Sequence, residues 1–155
     1  MHVHRLTYPA AHVAFVLYAG SVEALPQALA PLLDAVRQAG APPLGPPLVL
    51  YPSAAQNPDS ILARICVPVR ATFLGSHRVR TLTLPAVDVA VVRHIGPHRD
   101  IGKAYEALSA WIGEHGMSLA EGMSETFVCG PHDGAPEDEW QTDVAVRLKA
   151  QPPAP

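Results

Sequence analysis

Apolar positions along the chain fall into two kinds of run. Residues 12–18 and 88–94 are nearly continuous β-branched and apolar stretches, the pattern of strands buried on both faces. Each follows a weakly alternating stretch, 2–8 or 78–84, that ends at Pro-Ala. Helical spacing comes next. Val22, Leu25, Leu29, Leu32, Leu33 and Val36 recur on one face, with Ser21 as N-cap and Gly40 as stop. Ile101, Ala104, Tyr105, Leu108, Trp111, Ile112 and His115 do the same ahead of Gly116. Pro26 and Pro31 conflict with the first pattern, because each lacks an amide donor and crowds the preceding turn, so a kinked or late-starting helix is expected. After each helix two strands are joined by a loop rich in Pro, Gly and Asp: 47–52 with 61–69, and 124–129 with 140–148.

The two sets of elements resemble each other at an offset of 76 residues. Over residues 3–20 and 79–96, nine of eighteen positions are identical: Val3/Val79, Leu6/Leu82, Thr7/Thr83, Pro9/Pro85, Ala10/Ala86, Val13/Val89, Ala14/Ala90, Val16/Val92 and Gly20/Gly96. Ala28/Ala104, Leu32/Leu108 and Gly40/Gly116 continue the match, and the offset grows to 79 by the final strands. Two repeats are too few for a solenoid. The expectation is therefore an α+β fold in which a strand-strand-helix-strand-strand unit occurs twice about a pseudo-twofold axis, with antiparallel sheets, two long helices and a central groove. Residues 1–150 form a single domain of two repeats, 1–75 and 76–150, and 151–155 are a disordered tail.

Composition narrows the class. The chain has 155 residues, 48% apolar, 16% charged and 6% aromatic, and a mean hydropathy of +0.13, so it can bury a core and is not disordered. A net charge of −3 without a concentrated basic patch gives no reason to expect direct nucleic-acid binding. Cys66 and Cys129 make no disulfide framework and read as buried thiols. Neither a signal peptide nor an apolar run long enough to span a membrane is visible, which points to the cytoplasm. Residues 1–12 leave no room for an attached helix-turn-helix segment, and the edge strands 2–8 and 78–84 offer a homodimer contact.

Strand parity separates two faces. Val144, Val146 and Leu148 oppose Asp143, Ala145 and Arg147; Ile65, Val67 and Val69 oppose Arg64, Cys66 and Pro68. The aliphatic sets should pack on the helices and the others look toward the groove. Val49 and Tyr51 correspond by parity to Phe127 and Cys129, and placing all four away from the helices would bring aromatic, small and charged residues into one cleft, a composition suited to a ligand.

Leu84-Pro85-Ala86, the run Val89 to His98, Gly102 to Leu108 with Trp111 and Gly116, and Pro136 to Val144 follow in the order seen in the GyrI-like small-molecule-binding family, which this chain resembles. The weaker first copy, with Cys66-Val67-Pro68-Val69, extends the resemblance over nearly the whole chain. Members of that bacterial family include effector-binding domains of AraC-type and multidrug-responsive regulators. The resemblance implies two α+β modules with a ligand groove between them, aromatic walls, and an acidic residue for amphipathic, often cationic, ligands. Some stand-alone members are hydrolases that open cyclopropane rings, and the founding member is associated with inhibition of DNA gyrase. Departures are His98 where a Tyr is usual, Asp143 where Glu is usual, and Arg64 at the counterpart position that is often acidic. An Arg64–Asp143 pair across the axis would neutralise the carboxylate and admit neutral or anionic ligands.

Asp143 is the leading candidate, as an anchor for a cationic or hydrogen-bonding ligand, or as the carboxylate directing water if chemistry occurs; a solvated strand carboxylate is its plainer alternative. Trp140, Phe127, Tyr51, Tyr105 and Trp111 are candidate stacking walls, although Tyr105 and Trp111 lie on a helix's apolar stripe, which favours core packing for these two. His98 is a candidate donor at the pocket rim, and Cys129 and Arg64 complete the lining. No metal site is expected: His94 and His98 flank Gly96-Pro97 and lack helical geometry, and no other histidines converge. No cofactor motif is present. The expected function is sequestration or sensing of an amphipathic or aromatic small molecule, with a hydrolase of electrophilic natural products or a protein-interaction module for gyrase or a regulator as alternatives.

Overall fold

A computed structural model describes residues 1–53, 57, 59–73 and 79–149. The tail 151–155, residue 150 of the expected domain and the first residue of the expected strand 78–84 lie outside the described residues. Eight strands form one antiparallel sheet: β1 (His4–Tyr8), β2 (Ala11–Gly20), β3 (Leu48–Tyr51), β4 (Ile61–Val69), β5 (Arg80–Leu84), β6 (Val87–Ile95), β7 (Leu119–Cys129) and β8 (Gln141–Leu148). Two helices, α1 (Leu29–Gln38) and α2 (Gly102–His115), follow β2 and β6. The class is the expected α+β.

The first helix starts late, and the prolines explain it. Pro26 sits in a 3-10 turn over Leu25–Ala28, and Pro31 falls in the first turn of α1, where its missing amide has no intrahelical acceptor to lose. Ser21 caps the preceding turn, its Oγ accepting from the Ala24 amide at 3.2 Å. The second helix stops at Gly116, whose φ of 60° is left-handed and costs a glycine little. β7 begins at Leu119, five residues before the expected 124, because Gly122 at φ 103° takes up a register shift between Leu119 and Met123 that breaks simple alternation.

Strand order is β1-β6-β8-β7-β3-β4-β2-β5. Exchanging each strand of the first four with its counterpart four places later reverses this order onto itself, so the β3–β7 seam is the symmetry line of the topology. The order also dictates curvature. β1 and β2 are joined only through Pro9-Ala10, yet six strand spacings separate them in the sheet. A flat sheet would place them about 29 Å apart, whereas Tyr8 and Ala11 can be at most about 11 Å apart. The same holds for β5 and β6 across Pro85-Ala86. The sheet must therefore curl until its two ends approach each other at these turns.

The helices pack on one face of the curled sheet. Leu29, Leu32, Leu33 and Val36 of α1 join Ile65, Val67 and Val69 of β4 in one core cluster. Ala104 and Leu108 of α2 join Val144, Val146 and Leu148 of β8 in another. The aliphatic faces of β4 and β8 thus pack as parity requires. The opposite, concave face carries two smaller clusters, one around Val13, Phe15 and Cys66 and one around Val89, Val91 and Ala145. Among the described residues no helix is long and apolar enough to cross a membrane.

Candidate functional site

Two of the expected groove residues lie on the other side of the sheet. Val49 and Phe127 belong to the helix-side core with α1 and not to the concave face, while Tyr51, part of the same core, also borders the concave side at the end of β3. The cause is the β3–β7 pairing, in which Leu48 lies opposite Thr126 and Val49 opposite Glu125. Leu48, Leu50, Ser124 and Thr126 consequently face the concave side, and Tyr51, Glu125 and Phe127 the helices.

This arrangement buries a carboxylate beside the symmetry seam. Glu125 is 3% exposed, accepts two hydrogen bonds from tyrosine hydroxyls and shares a third with an imidazole. The Tyr51 hydroxyl donates to Oε1 at 3.0 Å from the first half of the chain. The Tyr105 hydroxyl, from α2, donates to Oε2 at 2.5 Å. His98 Nε2, in the short 3-10 turn after β6, lies 2.9 Å from Oε1. The His98 ring is itself buried and tilts against Phe127 with centroids 5.6 Å apart. Among the described residues no Lys or Arg bonds to Glu125. Burial is the main force holding the Tyr51 and Tyr105 hydroxyls far above the ordinary tyrosine range, and the neighbouring Glu125 charge adds to it. Both phenols therefore remain donors throughout the neutral range. Chemically the site is a desolvated acceptor whose partners are neutral hydroxyls and one imidazole, open to exchange for a ligand's cation or donor group.

The other expected residues are dispersed. Asp143 lies on the concave side of β8 and makes a bidentate pair with Arg93, at 2.8 and 3.0 Å. The expected Arg64–Asp143 pair is not formed, because the Arg93–Asp143 register of β6 and β8 sets those two side by side on one face. Arg64 instead lies over the Phe15 ring, 5.3 Å from its centroid. Trp140 is half-buried and donates from Nε1 to the Ala135 carbonyl at 2.9 Å. Trp111 packs on the α2 cluster and stacks on His115 at 4.3 Å. Cys129 is a half-buried free thiol at the end of β7, beyond a register shift that separates its parity from that of Phe127. Of the sequence candidates, Tyr51, His98, Tyr105 and Phe127 meet around Glu125; Asp143, Arg64, Trp140, Trp111 and Cys129 do not contact it. Sequence reasoning passed over Glu125 although the signal was there: it is the lone charged residue between Met123 and Phe127 on an otherwise apolar strand face.

A cavity of about 1000 Å³ occupies the concave side, reaching from Tyr8 and Pro85 at the closing turns to Tyr18 and Tyr51 at the far end of the strands. Tyr51 thus both lines this cavity and bonds to Glu125.

No curated protein matches the chain. Among solved structures, the C-terminal domain of EcmrR is similar at a TM-score of 0.87 and 18% identity, covering 96% of this chain and 97% of that one. The EcmrR chain in its DNA complex gives 0.88 and 18%, and there this chain spans only 57% of the other's length. A hydrolase encoded by lin2189 from Listeria innocua is similar at 0.66 and 10% identity, covering 95% and 91% of the two chains. SAV2435, in a structure bound to tetraphenylphosphonium, is similar at 0.54 and 12%, covering 96% and 94%. At these identities the likeness is one of fold. The family model for the GyrI-like small molecule binding domain matches residues 1–149, nearly the entire length, and the chain belongs to that family.

Proposed function

We propose that the chain binds a lipophilic organic cation, with Glu125 as counter-charge and Tyr51, Tyr105 and His98 as the groups that yield to it. The observation that carries this reading is the burial of Glu125 at 3% exposure with two tyrosine hydroxyls and the His98 imidazole as partners and, among the described residues, no Lys or Arg. An ionised carboxylate out of water is costly unless paired, and a ligand bearing diffuse positive charge, itself weakly hydrated, offers the pairing at little desolvation cost. Aromatic rings beside the carboxylate, Phe127 and the two tyrosines, supply faces for such a cation. The tetraphenylphosphonium bound to SAV2435 is a ligand of this kind, and it supports the reading by analogy of fold.

The test is a titration with tetraphenylphosphonium and with triphenylphosphine oxide, a neutral relative. Saturable binding of one equivalent of the cation, at least about tenfold tighter than the neutral compound, is expected. Equal affinities would remove the role of charge.

A second reading rests on the 2.9 Å contact between His98 and Glu125. A carboxylate and an imidazole in contact can activate water against an electrophile, and the similarity to a Listeria hydrolase accords with this. Turnover of a cyclopropane-bearing alkylator beyond one equivalent, lost in Glu125→Gln, would establish it; stoichiometric binding alone would reduce the site to a receptor.

A further inference from the structure

Glu125 does not line the concave cavity, and of the residues gathered around this carboxylate Tyr51 alone borders that cavity. Ser124 and Thr126 of β7 line it, while Glu125 between them points to the helices. Its walls are largely apolar, built from residues such as Val13, Leu48, Leu50, Leu84 and Val89. At about 1000 Å³ it sits at the upper end of the usual range for small-molecule sites, about 300–1,000 Å³. Three charged residues line it: Arg64, Arg147 and Glu121.

The two arginines are the informative feature. Arg5, Arg37, Arg93 and Arg99 each pair with a carboxylate. Among the described residues Arg64, Arg70, Arg80 and Arg147 pair with none, and of these Arg64, from β4 in the first half, and Arg147, from β8 in the second, line the cavity. Both are held in place without a carboxylate. Arg64 is stacked over Phe15. Arg147 lies along β7 at Gly122, where a Cβ would stand 3.2 Å from its Cδ, so the glycine makes room for the arginine stem. Two positioned guanidinium groups beside an apolar cavity, offset by a single carboxylate, favour a ligand with an anionic head and an apolar body.

We propose that the concave face is a second binding site, distinct from the Glu125 site, and that it takes a long-chain organic carboxylate, with Arg64 and Arg147 engaging the head and the curled sheet covering the tail.

Dodecanoate, below its aggregation concentration, is the probe, measured by isothermal titration. In the Glu125→Gln protein, which lacks the carboxylate of the other site, dodecanoate should bind saturably and more tightly than dodecyltrimethylammonium of equal chain length. Arg64→Gln with Arg147→Gln should weaken dodecanoate by about fivefold or more while leaving tetraphenylphosphonium affinity unchanged. Glu121→Gln should strengthen dodecanoate binding, a gain that misfolding cannot produce. Absence of saturable dodecanoate binding, equal affinity for the two surfactants, or indifference to the arginine substitutions would overturn the proposal. Loss of tetraphenylphosphonium binding alone would bear on the Glu125 site and not on this one.

Discussion

Tyr51 on β3 donates a 3.0 Å hydrogen bond to Glu125 on β7, across the seam where the two halves of the sheet meet. Their backbones are not directly opposed. Val49 pairs with Glu125 and Tyr51 with Met123, so the contact runs diagonally on one face, within reach of a long aromatic side chain. The acceptor therefore depends on both halves: Tyr51 comes from the first, His98 and Tyr105 from the second.

A buried carboxylate held for a ligand should cost the empty protein stability. Glu125→Gln keeps the shape and one acceptor oxygen for a tyrosine hydroxyl while removing the charge, and is expected to stabilise the chain by about 1 kcal/mol. Urea unfolding checks it; a less stable variant would mean that the charge itself is structurally needed.

Alkali should unfold the protein through its buried phenols. The Tyr51 and Tyr105 hydroxyls are raised above their ordinary value of 10.0, and Tyr8 is pushed up to about 12, chiefly by burial and then by the Asp143 charge. Raised values mean that folding favours the protonated form. This contribution is complete below the unfolded value of 10.0 and is lost progressively as pH climbs above it. Thermal melting should fall across that window, less steeply in Tyr51→Phe and Tyr105→Phe. An unchanged slope would contradict the burial of these hydroxyls.

Phe127 supports the site from below. It is 2% exposed, lies in the α1 core and touches the His98 ring. Phe127→Ala should cost about 3–5 kcal/mol of stability. A loss under 1 kcal/mol in chemical denaturation would show that the site does not rest on this ring.

The two thiols should differ in reactivity. Cys66 is fully buried and desolvation pushes it up to about 12, whereas Cys129 is half-buried. Alkylation of the native protein near neutral pH should modify Cys129 alone, read by mass spectrometry; labelling of Cys66 at a similar rate would contradict the concave-side cluster.

Periodicity made most of the architecture legible. The continuous apolar runs became β2 and β6, the two helical stripes became α1 and α2, and Pro26 and Pro31 foretold the late start of the first helix. Strand order was not legible, because pairing β1 with β6 and β5 with β2 exchanges strands between the halves, and no local pattern records that exchange. The site was half legible. Tyr51, Tyr105, Phe127 and His98 stood out as aromatic or polar residues near loops and faces. Their acceptor did not: Asp143 drew attention by standing on an open strand face, where Arg93 in fact satisfies it. The better signal was the charge on the closed face. Glu125 alternates with Met123 and Phe127, and a carboxylate in an apolar stripe has to be bonded or functional.

Tetraphenylphosphonium affinity measured side by side in the wild type, Glu125→Gln and Asp143→Asn decides whether Glu125 anchors the ligand. Asp143 pairs with Arg93 where both are partly exposed, at 23% and 49%. Its loss should cost at most about 1 kcal/mol of stability and leave ligand affinity unaltered. Glu125→Gln should weaken the cation by about 2 kcal/mol or more, roughly 30-fold. A cation that binds Glu125→Gln as tightly as the wild type, or that is lost in Asp143→Asn instead, would contradict the assignment of Glu125 as the ligand's anchor.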